Sequence, residues 1–416
     1  VFINPPYATA NNPERGSDKV NKNFVSMTAI RKLMTAEGMG ETSRELFAQF
    51  LYRINRELSA RQTLLGMFST LKYMLATNDQ KMRDRFFDYK FEGGFIFPSK
   101  AFQGIKGNFP VGFLMWNLAE HIPLTKQKIK LEVFNNRLDK IGVKKIKSIP
   151  RGKFLSKWIA RPAATKKFPP LSNALTVARN NKDRRDRIAE GFLASLASKG
   201  NDFFNQNYTA LLSGPYVSAG ALSVTADNFE RSMIVHTVRR LPRATWLNDC
   251  DQFLRPTKKL PTEFVNDCVV WSLFAPSNCT TALKDVEYEG EIYQIKNNLY
   301  PWTIEELREW GVDVNDEDRF AAQWLKAASL STEARAVLDE AKKIYRQFYA
   351  LLEELDRRKF KIETWDAGRY QVFGALKDAN LLDDEKFRAE FDRLGEKILP
   401  QIYSLGFLLD EVIYFD

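Results

Sequence analysis

Sulfur and imidazole are scarce in this chain. Its three cysteines, Cys250, Cys268 and Cys279, are odd in number and hold no C-x-x-C pair, and its two histidines, His121 and His236, stand far apart. A zinc site or a disulfide framework needs clustered, evenly paired ligands, so the pattern argues against both. No apolar run approaches the roughly 18 to 20 residues of a membrane span, and no signal-peptide pattern opens the sequence. The expected location is cytoplasmic, with no membrane partner. Internal repeats are also missing.

What is present is an ordinary globular composition, 44% hydrophobic and 27% charged over 416 residues, enough for two or three domains with proper cores. Its charge is uneven. Residues 303–416 carry 17 Lys and Arg against 25 Asp and Glu, leaving 45 against 27 for residues 1–302. A polyanion-binding surface therefore belongs to the first three quarters of the chain.

The opening stretch Val1-Phe2-Ile3-Asn4-Pro5-Pro6-Tyr7 is an apolar strand that stops at a polar residue, two prolines and an aromatic. In open α/β sheets ligands bind just beyond the carboxyl ends of strands, so a polar amide, a fixed carbonyl and an aromatic face are offered where a flat, amine-bearing ring can sit. Asn4-Pro5-Pro6-Tyr7 resembles the catalytic motif of S-adenosylmethionine-dependent amino-methyltransferases, most closely adenine-specific DNA N6-methyltransferases. The resemblance implies that Asn4 and the Pro5 carbonyl accept the protons of the target amine, that Tyr7 stacks on the base, and that the adenine is flipped out of its duplex. The implied cofactor is S-adenosyl-L-methionine.

The pattern downstream fits the second half of such a sheet. Glu41 to Ile54 has apolar residues at helical spacing, Thr63 to Thr70 reads as a buried strand, and Asn78 to Asp88 is again helical. Gly93 to Pro98 and Pro110 to Trp116, separated by a short turn, predict an antiparallel hairpin. Between them Ser99 to Gly104 looks like the family's loop that brings a second aromatic to the flipped base. Phe102 is the candidate, with Phe97 behind it. One departure matters: the glycine loop and acidic residue that hold the cofactor should precede this motif, and the later candidates, Gly191, Gly214 with Gly220, and Gly406, lack the strand-to-helix context. The chain is therefore expected to be the carboxyl-terminal part of a longer protein, with its cofactor-binding segment as a missing partner and little activity alone.

Residues 126–167 hold 14 Lys and Arg against only Glu132 and Asp139, with Phe134, Phe154 and Trp158 between them. Basic residues interleaved with aromatics suit a DNA backbone, and Lys144, Lys145, Lys147, Arg151 and Lys153 are the candidate contacts. A second candidate path runs from Arg239 to Trp246. Helices are expected over Lys182 to Lys199, Asn228 to Arg240 and Thr262 to Phe274, with strands near residues 214–224 and 286–295. Cys268 reads as core. From Leu330-Ser331-Thr332-Glu333 a capped amphipathic helix runs to about Arg358, followed by helical stretches at Trp365 to Lys377 and Asp383 to Tyr403.

The expected fold is α/β: the carboxyl-terminal half of a Rossmann-like methyltransferase sheet ending in an antiparallel hairpin (residues 1–125), a mixed α+β DNA-binding or target-recognition region (126–300) and an acidic helical module (301–416). The expected function is adenine-N6 DNA methylation in a restriction-modification or mobile-element setting, with a restriction subunit as a possible partner. The alternatives are an amino-methyltransferase acting on RNA or protein glutamine, or a DNA-binding remnant without catalysis.

Overall fold

A computed structural model describes residues 1–6, 28–59, 61–102, 107–178, 185–216, 220–409 and 412–414. It is a mixed α/β protein with two large cores. Among the described residues no helix is long and apolar enough to cross a membrane.

The first core is built on one face of a seven-stranded mixed sheet. β1 (Phe2–Ile3) lies parallel to β2 (Leu64–Thr70), with Phe2 opposite Gly66 and Ile3 opposite Met67. β3 (Tyr89–Pro98) and β4 (Pro110–His121) form the expected antiparallel hairpin, and β4 inserts between β2 and β3. β5 (Ile129–Phe134) then runs parallel to β3, and β6 (Lys140–Ile146) returns antiparallel beside it. A short strand near the carboxyl terminus, Val412–Tyr414, closes the far edge against β6. Alternation decides the buried face: Leu65 and Met67 of β2, Leu114 and Trp116 of β4, and Ile129, Leu131 and Val133 of β5 are all buried. Helices α1 (Ala29–Ala36) and α2 (Leu46–Leu58), with the short α3 (Lys72–Leu75) and α4 (Gln80–Arg85), supply Met34, Phe47, Leu51, Met74 and Met82 to that face.

The division expected at residue 125 falls inside this sheet, because β5 and β6 belong to it. The second core spans Leu155 to Leu408, so the expected middle region and helical module share one apolar interior. A ribbon of β7 (Ala164–Lys167) and β8 (Arg187–Ala189) leads into a four-stranded sheet of β9 (Ala194–Ala197), β10 (Ala210–Leu212), β11 (Leu222–Val224) and β12 (Asn278–Cys279). The helix expected over Lys182 to Lys199 is thus replaced, in its described part, by β8 and β9. Gly191 turns between them at φ 65°, a left-handed conformation that a helix interior does not contain.

α5 (Phe229–Arg240) and α6 (Thr262–Phe274) follow the expected spans and pack on each other. After the hairpin β13 (Leu283–Tyr288) and β14 (Glu291–Ile295), the chain becomes helical: α7 (Ile304–Glu309), α8 (Phe320–Ala327), α9 (Thr332–Ala350), α10 (Arg369–Asp378) and α11 (Glu385–Ser404). Ser331 caps α9 by accepting from the Ala334 N–H at 3.1 Å, as expected from the sequence. α9 stops at Ala350, short of Arg358, where the chain turns to bury Leu355 and Phe360.

His236 shows how tightly this core is drawn. It is wholly buried, its Nδ1 lies 3.0 Å from the Ser272 hydroxyl, and its Nε2 lies 2.9 Å from that of Ser277. Burial, with the Arg240 charge adding to it, pushes its pKa down to about 3. A base whose folded pKa lies below its unfolded value contributes stability at neutral pH that is lost as pH falls from its ordinary 6.5 towards 3. Asp79 and Asp249, each pushed up to about 6 mainly by burial, act in the opposite sense and favour the fold as pH drops through 6. Comparing parent with His236→Gln isolates the histidine. Between pH 7 and pH 5 the variant is expected to gain about 2 kcal/mol relative to the parent in urea denaturation, at roughly 1.4 kcal/mol per pH unit. A constant difference across that range would mean that His236 does not titrate with folding.

Candidate functional site

The carboxyl ends of β1, β2 and β3 and the start of β4 meet at one end of the first sheet. Asn4 and Pro5 follow β1 directly; Pro5 is buried and anchors the turn, while Asn4 and Pro6 are exposed. Phe2 lies opposite Gly66 and Ile3 opposite Met67, so Asn4 leaves β1 beside the later part of β2, which runs on to Thr70. Thr70, at the end of β2, is 9% exposed and its hydroxyl has no hydrogen-bond partner among the described residues. An orphaned hydroxyl at a strand end is costly unless something pairs with it. Tyr7 lies outside the described residues.

Phe102 comes after β3 and a single 3-10 turn at Ser99–Ala101, half-buried, with its ring 5.5 Å from that of Phe97. Phe97 in turn meets Phe68 at 6.3 Å. β2 and β4 separate β1 from β3, so at about 4.8 Å per step Asn4 and Phe102 mark two sides of the site about 14 Å apart, at the same end of the sheet.

The sheet face opposite α1 and α2 is aromatic. Phe2 and Phe113 stack at 5.9 Å with a 4° angle between their planes, and Phe113 touches Phe68 and Phe95 at 4.7 and 5.7 Å. Gly66 permits this, since an added Cβ would lie 2.8 Å from the Phe113 ring. Phe2 is 81% exposed, Leu64 59% and Met115 39%. Val1 bonds Leu64 and Gly66, which turns the Phe2 backbone groups to the outer edge of the sheet. An apolar face beside a strand edge is the kind of surface that a further layer of protein covers.

The basic tract behaves differently from expectation. Lys144 does not face outward: it is wholly buried, and its Nζ donates to the Leu247 carbonyl at 2.6 Å and to both Asp251 carboxylate oxygens at 2.7 Å. The alternation of β6 places it on the core side with Ile146, where it joins the sheet to the segment 247–251. Lys145, Lys147 and Lys153 are exposed; of Arg151 only the backbone is described, in a 3-10 turn with Lys153. Lys147 borders a cleft of about 310 Å³ between the two cores, with Leu75, Arg243, Asn248, Tyr403 and Tyr414.

The second candidate path fails at its first residue. Arg239 is 1% exposed; its guanidinium donates to the Thr209 hydroxyl and to the carbonyls of Gly200 and Lys199 at 2.9 to 3.0 Å, and burial pushes its pKa down to about 10. Trp246 packs against the first core. Arg243 stays exposed at the cleft.

Two adjoining cavities of about 220 and 310 Å³ over the four-stranded sheet share Arg161 and Leu222 in their walls. They gather Arg161, from the end of the basic tract, with Arg185 and Arg187, which fall in the stretch expected to be a helix. A hollow of about 780 Å³ beside the hairpin β13–β14 is lined by both charge signs, Lys284, Lys361, Asp285, Glu287 and Glu363, and lies away from the strand ends. Among the described residues no group of three or more His, Cys, Asp or Glu is placed to hold a metal ion. No protein-family model, curated protein or solved structure matches this chain.

Proposed function

We propose that this chain is the catalytic half and DNA-contacting region of an adenine-N6 DNA methyltransferase. The observation that carries the reading is the Asn4-Pro5 turn at the carboxyl end of β1, in a sheet whose strands β1, β2, β4 and β3 run parallel, parallel, reversed and parallel. That order is the one expected of the second half of a methyltransferase sheet, with the reversed strand supplied by the hairpin.

An exocyclic amine on an aromatic ring is a weak nucleophile, and positive charge grows on its nitrogen as it attacks. The Asn4 side-chain oxygen and the Pro5 carbonyl are suited to accept its two protons, and the two prolines set their directions at little entropic cost. Thr70, whose hydroxyl finds no partner among the described residues, supplies a further polar group at the same strand ends.

Among the described residues no glycine loop joins a parallel strand to a helix as the resemblance implies for S-adenosylmethionine. The glycines at positive φ beyond the first sheet include Gly191 between β8 and β9, Gly220 before β11 and Gly406 after α11, and none joins a parallel strand to a helix. The aromatic face with the outer edge of β1 is a surface that a further α/β layer holding the cofactor would cover. When bound, the cofactor supplies the methyl group; the residues of this chain orient the amine and stabilise its charge.

The test uses the full-length protein, duplex DNA and S-adenosylmethionine labelled in its methyl group. Nucleosides from the digested DNA are expected to carry the label as N6-methyladenine. Label found instead in RNA or in a protein glutamine would contradict the DNA reading, and label in none of them would contradict methyl transfer.

A further inference from the structure

We propose that the arginine-lined groove over the four-stranded sheet holds the DNA substrate by its phosphates. The proposal rests on the methyltransferase reading for the identity of the polyanion, and it names a path for the substrate that the basic tract alone does not provide.

The two cavities adjoin at Arg161 and Leu222, which stand in both walls, and together they make up the trough. Five cations line it, Lys157, Arg161, Arg185, Arg187 and Lys199, and no Asp or Glu is among its described lining residues. The chain brings them from three separate stretches: the turns after β6, the approach to and start of the ribbon strand β8, and the turn after β9. Charge of one sign gathered in a concave wall focuses the field outward, where scattered surface lysines do not.

Little of the charge of Lys157, Arg161 and Lys199 is used by the fold. Among the described residues no carboxylate pairs with Lys157 or Arg161. Lys199 lies over the Tyr208 ring at 4.5 Å, and among the described residues no carboxylate pairs with it. Arg187 donates from one nitrogen to the Thr165 carbonyl at 2.9 Å and stands 3.7 Å from Asp186, whose other carboxylate oxygen accepts the Tyr288 hydroxyl at 3.1 Å. This use of Arg187 braces the ribbon and sets the trough wall.

Shape and composition favour a nucleic-acid strand over an acidic peptide. Three of the five cations are arginines, whose planar fork matches phosphate oxygens in pairs. Between them Pro162, Pro215, Tyr216 and Leu222 give a stiff apolar surface with one ring on which a sugar or base can rest. The entry to β11 is fixed against β9: Gly220, at φ 104°, lies so close to the Ser198 carbonyl that any Cβ would collide with it. Thr77, in the 3-10 turn between α3 and α4, also stands in its wall.

The test is fluorescence anisotropy of a labelled duplex with the full chain across a salt series. Replacing Lys157, Arg161 and Arg185 by glutamine is expected to weaken binding roughly 10- to 100-fold and to lower the slope of log K against log salt by about two to three, near 0.9 for each phosphate no longer neutralised. Lys343→Gln with Lys386→Gln, in a cavity that also holds Glu340, Asp383 and Glu385, is expected to leave the slope unchanged. If the triple variant melts early, Arg161→Gln alone should still lower the slope by about one. A triple variant with the parent slope overturns the proposal, as does equal competition by polyglutamate of matched charge. A lowered slope in the triple variant of a protein that methylates nothing keeps the groove and sinks the methyltransferase reading; an unchanged slope in an active enzyme does the reverse.

Discussion

Lys144→Met is expected to cost about 3–5 kcal/mol of folding stability in urea denaturation while leaving the salt dependence of DNA binding as it is in the parent. The residue looks like a phosphate contact in the sequence, yet its ammonium is sealed inside the protein with three oxygen acceptors. Burial pushes the Asp251 carboxyl up, and Lys144 offsets that by charge and hydrogen bonding. Removing the lysine strands a carboxylate that must then either stay charged without a partner or take up a proton, and both destabilise. The pair also ties β6 to the segment that inserts Leu247 into the first core. The double variant Lys144→Met with Asp251→Leu should recover most of the loss, because no charge is then left buried. A stable Lys144→Met with a reduced salt slope would return the residue to the DNA surface.

Lys144 also marks the limit of what local pattern discloses. The hairpin β3–β4 and the helices α5 and α6 are legible in the sequence because apolar periodicity, prolines and glycines act over a few residues. The turn at Asn4-Pro5 is legible for the same reason. Lys144 is not, since charge density says how many cations a stretch carries and only strand register says which one faces inward. The trough is hidden because its cations come from segments far apart in the chain, and because the pattern around Arg185 and Arg187 suits a helix that Gly191 interrupts. The closing of the first sheet by Val412–Tyr414 depends on a pairing with Gly142–Lys144 that no local pattern announces. The single core shared by residues 155–408 follows from such long-range packing as well.

On the proposed function, the turn after β1 grips a substrate amine. Asn4 is exposed at a strand end, so its side chain can be changed at little cost to the apolar packing of the sheet. Loss of an acceptor that matters in the transition state typically lowers kcat by roughly 10²-fold or more. The measurement is kcat for N6-methyladenine formation by full-length Asn4→Ala, taken with its DNA affinity and its thermal melting curve. A fall of that size with affinity and melting unchanged is the result expected here. Undiminished methylation by a normally folded Asn4→Ala protein would remove this strand end from the chemistry.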